Sequence, residues 1–144
     1  MTTESSGPYL TAAVLCERVL QEKDEVISII RMIDRLTVTV NAAGSPETMP
    51  PAAVNFTALI ALKSGSARGR MTVKWRTETP SGLKLPDQLF PVFFEGEDRG
   101  VNLVINLNMI VEQEGLYWFD VLLDEQLLTR IPLRILYQRI GQTA

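Results

Sequence analysis

The sequence predicts an all-β protein built as an antiparallel β-sandwich of about seven to eight strands. Three observations predict it. Residues Arg68-Gly-Arg-Met-Thr-Val-Lys-Trp-Arg76 place Met71, Val73 and Trp75 at alternate positions against Arg68, Arg70, Thr72, Lys74 and Arg76, the period-two pattern of a half-buried strand. The same alternation returns over Val101–Val111, where Val101, Leu103, Ile105, Leu107, Met109 and Val111 share one face and Asn102, Asn106 and Asn108 the other. Turn residues punctuate the chain between such runs, and no segment of it is convincingly helical.

In order along the chain, residues 1–8 read as a polar tail, 9–138 as a single sandwich domain and 139–144 as a short C-terminal tail. Tyr9–Gln21 and Glu25–Ile33 flank the charged turn Glu22-Lys23-Asp24 and read as a hairpin. The second arm also fits a helical stripe through Val26, Ile29, Ile30 and Ile33. Its β-branched run Val26-Ile27-Ser28-Ile29-Ile30 favours strand, because such side chains lose rotamer freedom in a helix. Arg35–Val40 continues extended. The stretch from Asn41 to Pro51 holds three prolines and a glycine, which makes it a surface loop between sheets.

Val54–Lys63 returns to strand, and Ser64-Gly65-Ser66-Ala67 is expected to turn it into a hairpin with the Arg68–Arg76 segment. Thr79-Pro80-Ser81-Gly82 is turn chemistry. Leu83–Phe94, carrying Pro86 and Pro91, reads as a long crossover with Phe90, Phe93 and Phe94 tucked inward, and Glu95–Gly100 as a tight acidic turn. After Val101–Val111, a strand from Gly115 puts Tyr117, Phe119, Val121 and Leu123 on one side, and Asp124-Glu125 turns it back. Ile131, Leu133, Ile135 and Tyr137 repeat the alternation, with Pro132 implying an edge or a bulge, since proline cannot donate to a ladder. Strands of this number and spacing indicate the immunoglobulin-like or C2-like style of sandwich.

Composition narrows the chemistry. The 144 residues are 46% apolar and 22% charged, ordinary for one globular core. The net charge of −3 argues against a general nucleic-acid coat. No apolar run spans a bilayer and no signal peptide opens the sequence, so the expectation is a soluble, unexported, cytoplasmic protein without membrane contact. Under that expectation Asn55-Phe56-Thr57 is a chance glycosylation sequon. There is no histidine, which removes every Ser-His and Cys-His nucleophile system and every histidine-built zinc site. The lone Cys16 can make neither an intramolecular disulfide nor a thiolate cage, and its apolar context reads as an inert core thiol despite Arg18 nearby.

Three local patterns carry a resemblance: the early hairpin from Leu15 to Arg35, the turn Thr79-Pro80-Ser81-Gly82, and Glu114-Gly-Leu-Tyr-Trp-Phe-Asp-Val-Leu-Leu-Asp124. Together they resemble a family of short, uncharacterised bacterial β-sandwich proteins over nearly the whole chain. The resemblance implies the fold and brings no activity and no catalytic residues.

Candidate sites are therefore surfaces. Glu95, Glu97 and Asp98 could offer oxygens to calcium, yet the spacing matches no EF-hand loop and a solvated acidic turn is the default reading, so no metal or cofactor is assigned. Gly65–Arg70 lacks the lysine, hydroxyl residue and following helix of a phosphate loop. The basic face of Arg68, Arg70, Lys74 and Arg76 could bind a polyanion such as nucleic acid, but Trp75 has inward parity and leaves it without a stacking platform. The alternative is a solvated face neutralised by neighbouring carboxylates.

Leu116, Trp118 and Leu122, with Leu136 on the next strand, point outward as an apolar group, either an interface or a patch covered by the Leu83–Phe94 crossover. The expected function is a non-enzymatic binding or assembly module acting through protein–protein contact, by self-association or with a protein partner. Polyanion binding is the alternative.

Overall fold

The structure is a computed structural model that describes residues 7–41, 44 and 46–140. Nine strands form: β1 (Tyr9–Gln21), β2 (Ile27–Met32), β3 (Arg35–Asn41), β4 (Ala52–Lys63), β5 (Arg68–Glu78), β6 (Gln88–Glu95), β7 (Gly100–Val111), β8 (Gly115–Leu123) and β9 (Gln126–Ile140). They pair as a four-stranded sheet, β2-β1-β4-β7, packed on a five-stranded sheet, β3-β9-β8-β5-β6. Most of residues 1–8 and 139–144, read as tails, lie outside the described residues, but β9 runs on to Ile140 instead of ending at 138.

The alternating positions read from sequence build the core. Met71, Val73 and Trp75 of β5, the odd residues of β7 and Tyr117, Phe119, Val121 and Leu123 of β8 all turn inward between the sheets, together with Ile131, Leu133, Ile135 and Tyr137 of β9. Fully burying one large apolar side chain stabilises by about 1.5–3 kcal/mol, so these four strands supply much of the driving force. The segment with competing helical and strand patterns is strand β2, which pairs with β1 through a turn closed by Glu22 N donating to Val26 O at 2.7 Å.

Four expectations are corrected. The first is the proposed hairpin of Val54–Lys63 with Arg68–Arg76. β4 pairs with β1 and β7, whereas β5 pairs with β6 and β8, so the link crosses between sheets. Crossing lets both apolar faces meet, and it is braced: the buried Ser64 donates both its backbone N–H and its hydroxyl to Arg99 O, each at 2.8 Å, and Asp98 N donates to Gly65 O at 3.1 Å.

The second concerns the Leu83–Phe94 crossover, which contains strand β6 and does not lie over the sheet. Its alternation sends Phe90, Val92 and Phe94 inward but leaves Phe93 60% exposed. Pro91 is tolerated because β6 is an edge strand, where a missing N–H costs no ladder bond.

Third, the sandwich is not wholly antiparallel: β3 runs parallel to β9, from Arg35 opposite Arg134 to Asn41 opposite Ile140. After the β1–β2 hairpin the chain changes sheets at Asp34, whose carbonyl accepts Arg134 N at 3.1 Å. Fourth, Pro132 sits in a strand with neighbours on both sides. It fits because β3 begins pairing only at Arg134, so on that side the backbone around Pro132 is locally an edge.

Candidate functional site

Both sheets have an outer face, and the two differ in chemistry. On the five-stranded sheet, register brings Lys74 opposite Leu122, Arg76 opposite Asp120 and Glu78 opposite Trp118, while β9 adds Arg130 beside Asp120 and Pro132 beside Trp118. Two of the four cations expected to bind polyanions are engaged here. Arg76 Nε lies 3.0 Å from Asp87 Oδ1, and Lys74 Nζ lies 2.6 Å from Glu125 Oε2 and 3.9 Å from Asp87 Oδ2. The hydrogen bond to Asp87 holds the Arg76 guanidinium above its ordinary range, and the same bond holds the Asp87 carboxyl below its own.

Arg68 and Arg70 lie further along β5 and carry no ion pair among the described residues. Arg70 faces the exposed Phe93 across the β5–β6 ladder. The four cations thus share one strand face but split into a paired half and an unpaired half.

Leu116, Trp118, Leu122 and Leu136 share this outer face, as their parity implies. Long cationic side chains, not a crossover, close over part of the group. Arg130 Cζ sits 4.7 Å from the Trp118 ring centroid, held there by Asp120 Oδ1 at 2.7 Å from its Nε and by Glu78 at 3.9 Å. Such a cation over an indole is attracted by the ring's negative face. Leu122 keeps only 8% of its surface and is one of three buried apolar residues outside the central core.

The other two of those three, Cys16 and Leu59, lie on the outer face of the four-stranded sheet. Inward positions there are Leu10, Ala13 and Leu15 of β1, the even residues of β4 and the odd residues of β7. The outward set is therefore Ala12, Val14 and Cys16; Ala53, Asn55, Thr57, Leu59 and Ala61; and Asn102, Val104, Asn106, Asn108 and Ile110. None is charged. Ionic groups enter only at the rims, with Lys63 at one end and Arg18 at the other. Thr57 Oγ1 donates to Asn106 Oδ1 at 3.2 Å, tying β4 to β7 across this face. Burial pushes the Cys16 thiol pKa up, which keeps it protonated and unreactive.

β7 forms one border of this face, and its far side has no strand partner. Beside it, on the open flank of the sandwich, a groove of about 540 Å³ runs between β7 and the start of β6, lined by Asp87, Gln88, Leu107 and Met109 among others. Sequence reasoning passed over the uncharged face, although a signal was there: β7 has no charged residue in twelve, and its outward polar positions are all asparagine. The acidic loop offers no comparable site. Arg99 takes up Glu95 at 3.1 Å and lies 3.9 Å from Glu97, and no group of three or more metal-ligating side chains occurs among the described residues.

The interior distinguishes between the two sandwich styles expected. Tyr117, near the start of β8, donates its hydroxyl to Gln113 O at 3.0 Å across the corner where the chain passes between sheets. Two residues on, Phe119 meets Phe56 of β4 with ring centroids 5.7 Å apart, and Trp75 of β5 stacks on Phe119 at 5.0 Å. A tyrosine corner two residues before the inter-sheet pin, with a buried tryptophan packed on that pin, is the immunoglobulin arrangement; here an aromatic pair stands where antibody domains place a disulfide. The molecule is an immunoglobulin-like β-sandwich. The chain belongs to a family of unknown function (DUF6941), whose model matches residues 11–136.

Solved structures resemble this chain at low identity. A β-glucosidase from Listeria innocua is 10% identical with a TM-score of 0.51, covering 75% of this chain and 15% of that one. An immunoglobulin-like protein from Pseudomonas aeruginosa is 10% identical with a TM-score of 0.42, covering 92% of this chain and 99% of that one. An alkylpurine DNA glycosylase from Pseudomonas fluorescens is 9% identical with a TM-score of 0.43, covering 69% and 27%. This chain therefore spans a small part of either enzyme, and no enzyme family matches it. No curated protein matches it either. No helix of the described residues is long and apolar enough to cross a membrane.

Proposed function

We propose that this chain is a non-enzymatic contact module that works by protein–protein association, and that the contact runs through the outer side of the four-stranded sheet. One observation carries the reading: the outward positions of three adjacent strands hold no charge, from Ala12 to Cys16, Ala53 to Ala61 and Asn102 to Ile110. Interface centres are depleted of charge relative to the rest of a protein surface, and this face follows that rule while the opposite sheet is laced with ion pairs. The absence of histidine supports the non-enzymatic part, since acid–base work at neutral pH would fall to carboxylates and lysines alone. The cytoplasm is the proposed setting, in line with a single free thiol.

A photocrosslinking residue placed at Val104 or at Ile110, which is 65% exposed on the same face, tests this in the native host. A discrete protein adduct at these positions, and none from Arg134 on the outer face of the five-stranded sheet, is the expected result. No adduct at either position would refute the reading.

A further inference from the structure

The four strands at the sheet edges are not alike. β2 is six residues long and holds Arg31 in the left-handed region, with φ of 56°. β3 opens on Arg35, and β6 carries Pro91 and ends on Glu95. Each has one of the features by which proteins blunt an edge: shortness, charge or proline. β7 has none of them. It is twelve residues long, regular throughout its pairing with β4, and without charge or proline from Gly100 to Val111. Among the described residues no backbone hydrogen bond engages its outer edge.

Such a row of N–H and C=O groups is a template for another extended backbone, and the groove beside β7 sets a second requirement. Its apolar walls, Leu107 and Met109, need apolar side chains at alternate positions from whatever strand is added. β7 itself meets both demands.

We infer that the β7 edge pairs antiparallel with β7 of a second copy of this chain, joining the two four-stranded sheets into one continuous eight-stranded sheet. With the two-fold axis at Asn106, residues whose numbers sum to 212 face each other, and the alternation is preserved. The partner's Ile105 then lies beside Leu107 and the partner's Leu103 beside Met109, extending the core into the groove. On the outer face Asn106 meets the partner's Asn106, where two amides can each donate and accept, and Val104 meets the partner's Asn108. No like charges are brought together, because the strand has none. A pairing of this length forms about twelve backbone hydrogen bonds. The uncharged outer face continues unbroken across the axis. The inference rests on the contact reading above and names the partner.

Sedimentation equilibrium of the full chain over a wide concentration range tests it. The expected result is a dimer that Val104→Lys/Asn108→Lys dissociates, because that pair sets lysine opposite lysine twice in the stated register. The dissociation constant should rise about tenfold or more. Met32→Lys, on the opposite edge of the same sheet, should leave the dimer intact. As a check independent of folding, Asn106→Cys should form an intermolecular disulfide under mild oxidation while the buried Cys16 does not. A wild-type chain that stays monomeric at high concentration overturns self-pairing, as does a dimer indifferent to the lysine pair. A monomer that still gives a Val104 adduct with a different protein overturns self-pairing alone and leaves the contact reading standing.

Discussion

The Phe56–Phe119 pair offers the sharpest test of how the two sheets are pinned. Phe119 touches two rings, Phe56 tilted by 55° at 5.7 Å and Trp75 nearly parallel at 5.0 Å, whereas no other aromatic contact involves Phe56 among the described residues. Aromatic pairs with centroids in this range add about 0.5–1.5 kcal/mol beyond area burial. Replacement by leucine keeps an apolar side chain and removes the ring interactions. Phe119→Leu therefore loses two such terms and Phe56→Leu one, so the first should be the more destabilising by about 0.5–1.5 kcal/mol.

The double variant should recover the shared contact, giving a coupling of about the same size, 0.5–1.5 kcal/mol. Urea unfolding followed by far-UV circular dichroism measures all four proteins, with m-values compared to establish that the unfolded reference is unchanged. Two leucine variants of equal cost that add to within about 0.3 kcal/mol would refute the pin, because independent sites add within that margin.

Three other outcomes follow from single side chains. Tyr117→Phe removes the hydroxyl bond to Gln113 O and should cost about 1 kcal/mol in the same urea assay. Burial raises the Tyr117 pKa, so the native state prefers the neutral phenol; that stability is present below the ordinary value of 10.0 and lost as pH rises above it, and the variant should show a shallower alkaline decline. Cys16 should react with a disulfide reagent only in denaturant, and stoichiometric reaction of the native protein at neutral pH would contradict its burial. Asp87 has its pKa lowered chiefly by the Arg76 hydrogen bond, so its contribution is present above 3.8 and lost as pH falls through the lower native value. Asp87→Asn should flatten the acid limb of a thermal-melting profile, and an unchanged limb would refute the pairing.

Much of the fold was legible because half-buried strands write their inward faces into the sequence at period two. β5, β7, β8 and β9 could each be assigned a core side from that pattern alone, and the structure places those sides inward. What a strand pairs with is not written locally. The link Ser64-Gly65-Ser66-Ala67 has the composition of a hairpin turn, yet its role depends on Arg99, thirty-five residues from Ser64, whose carbonyl the serine caps. The parallel contact of β3 with β9 likewise joins residues about a hundred positions apart, and no turn signal marks it. β6 was obscured by its two neighbouring prolines, which weaken a strand reading without regard to whether the strand lies at an edge.

The candidate surfaces show the same division between parity and context. Parity placed Leu116, Trp118, Leu122 and Leu136 on one outer face and Lys74 and Arg76 on the same side of the sheet, but exposure depends on what the neighbouring strands bring. On the five-stranded sheet β9 brings Arg130 over Trp118, and Asp87 and Glu125 reach Lys74 and Arg76 from the strand ends, so that face is largely satisfied within the monomer. On the outer face of the four-stranded sheet charge stays at the rims, at Lys63 and Arg18. Asn102, Asn106 and Asn108 carry polarity without charge, which solvates the face of a free chain and can still be desolvated against matching amides at lower cost than an ion. An edge meant to stay solitary is ordinarily given a lysine, and three of the four sheet edges have an equivalent guard. The asparagines of β7 thus separate two demands that lysine would set against each other: solubility when alone and close pairing when met by a complementary strand.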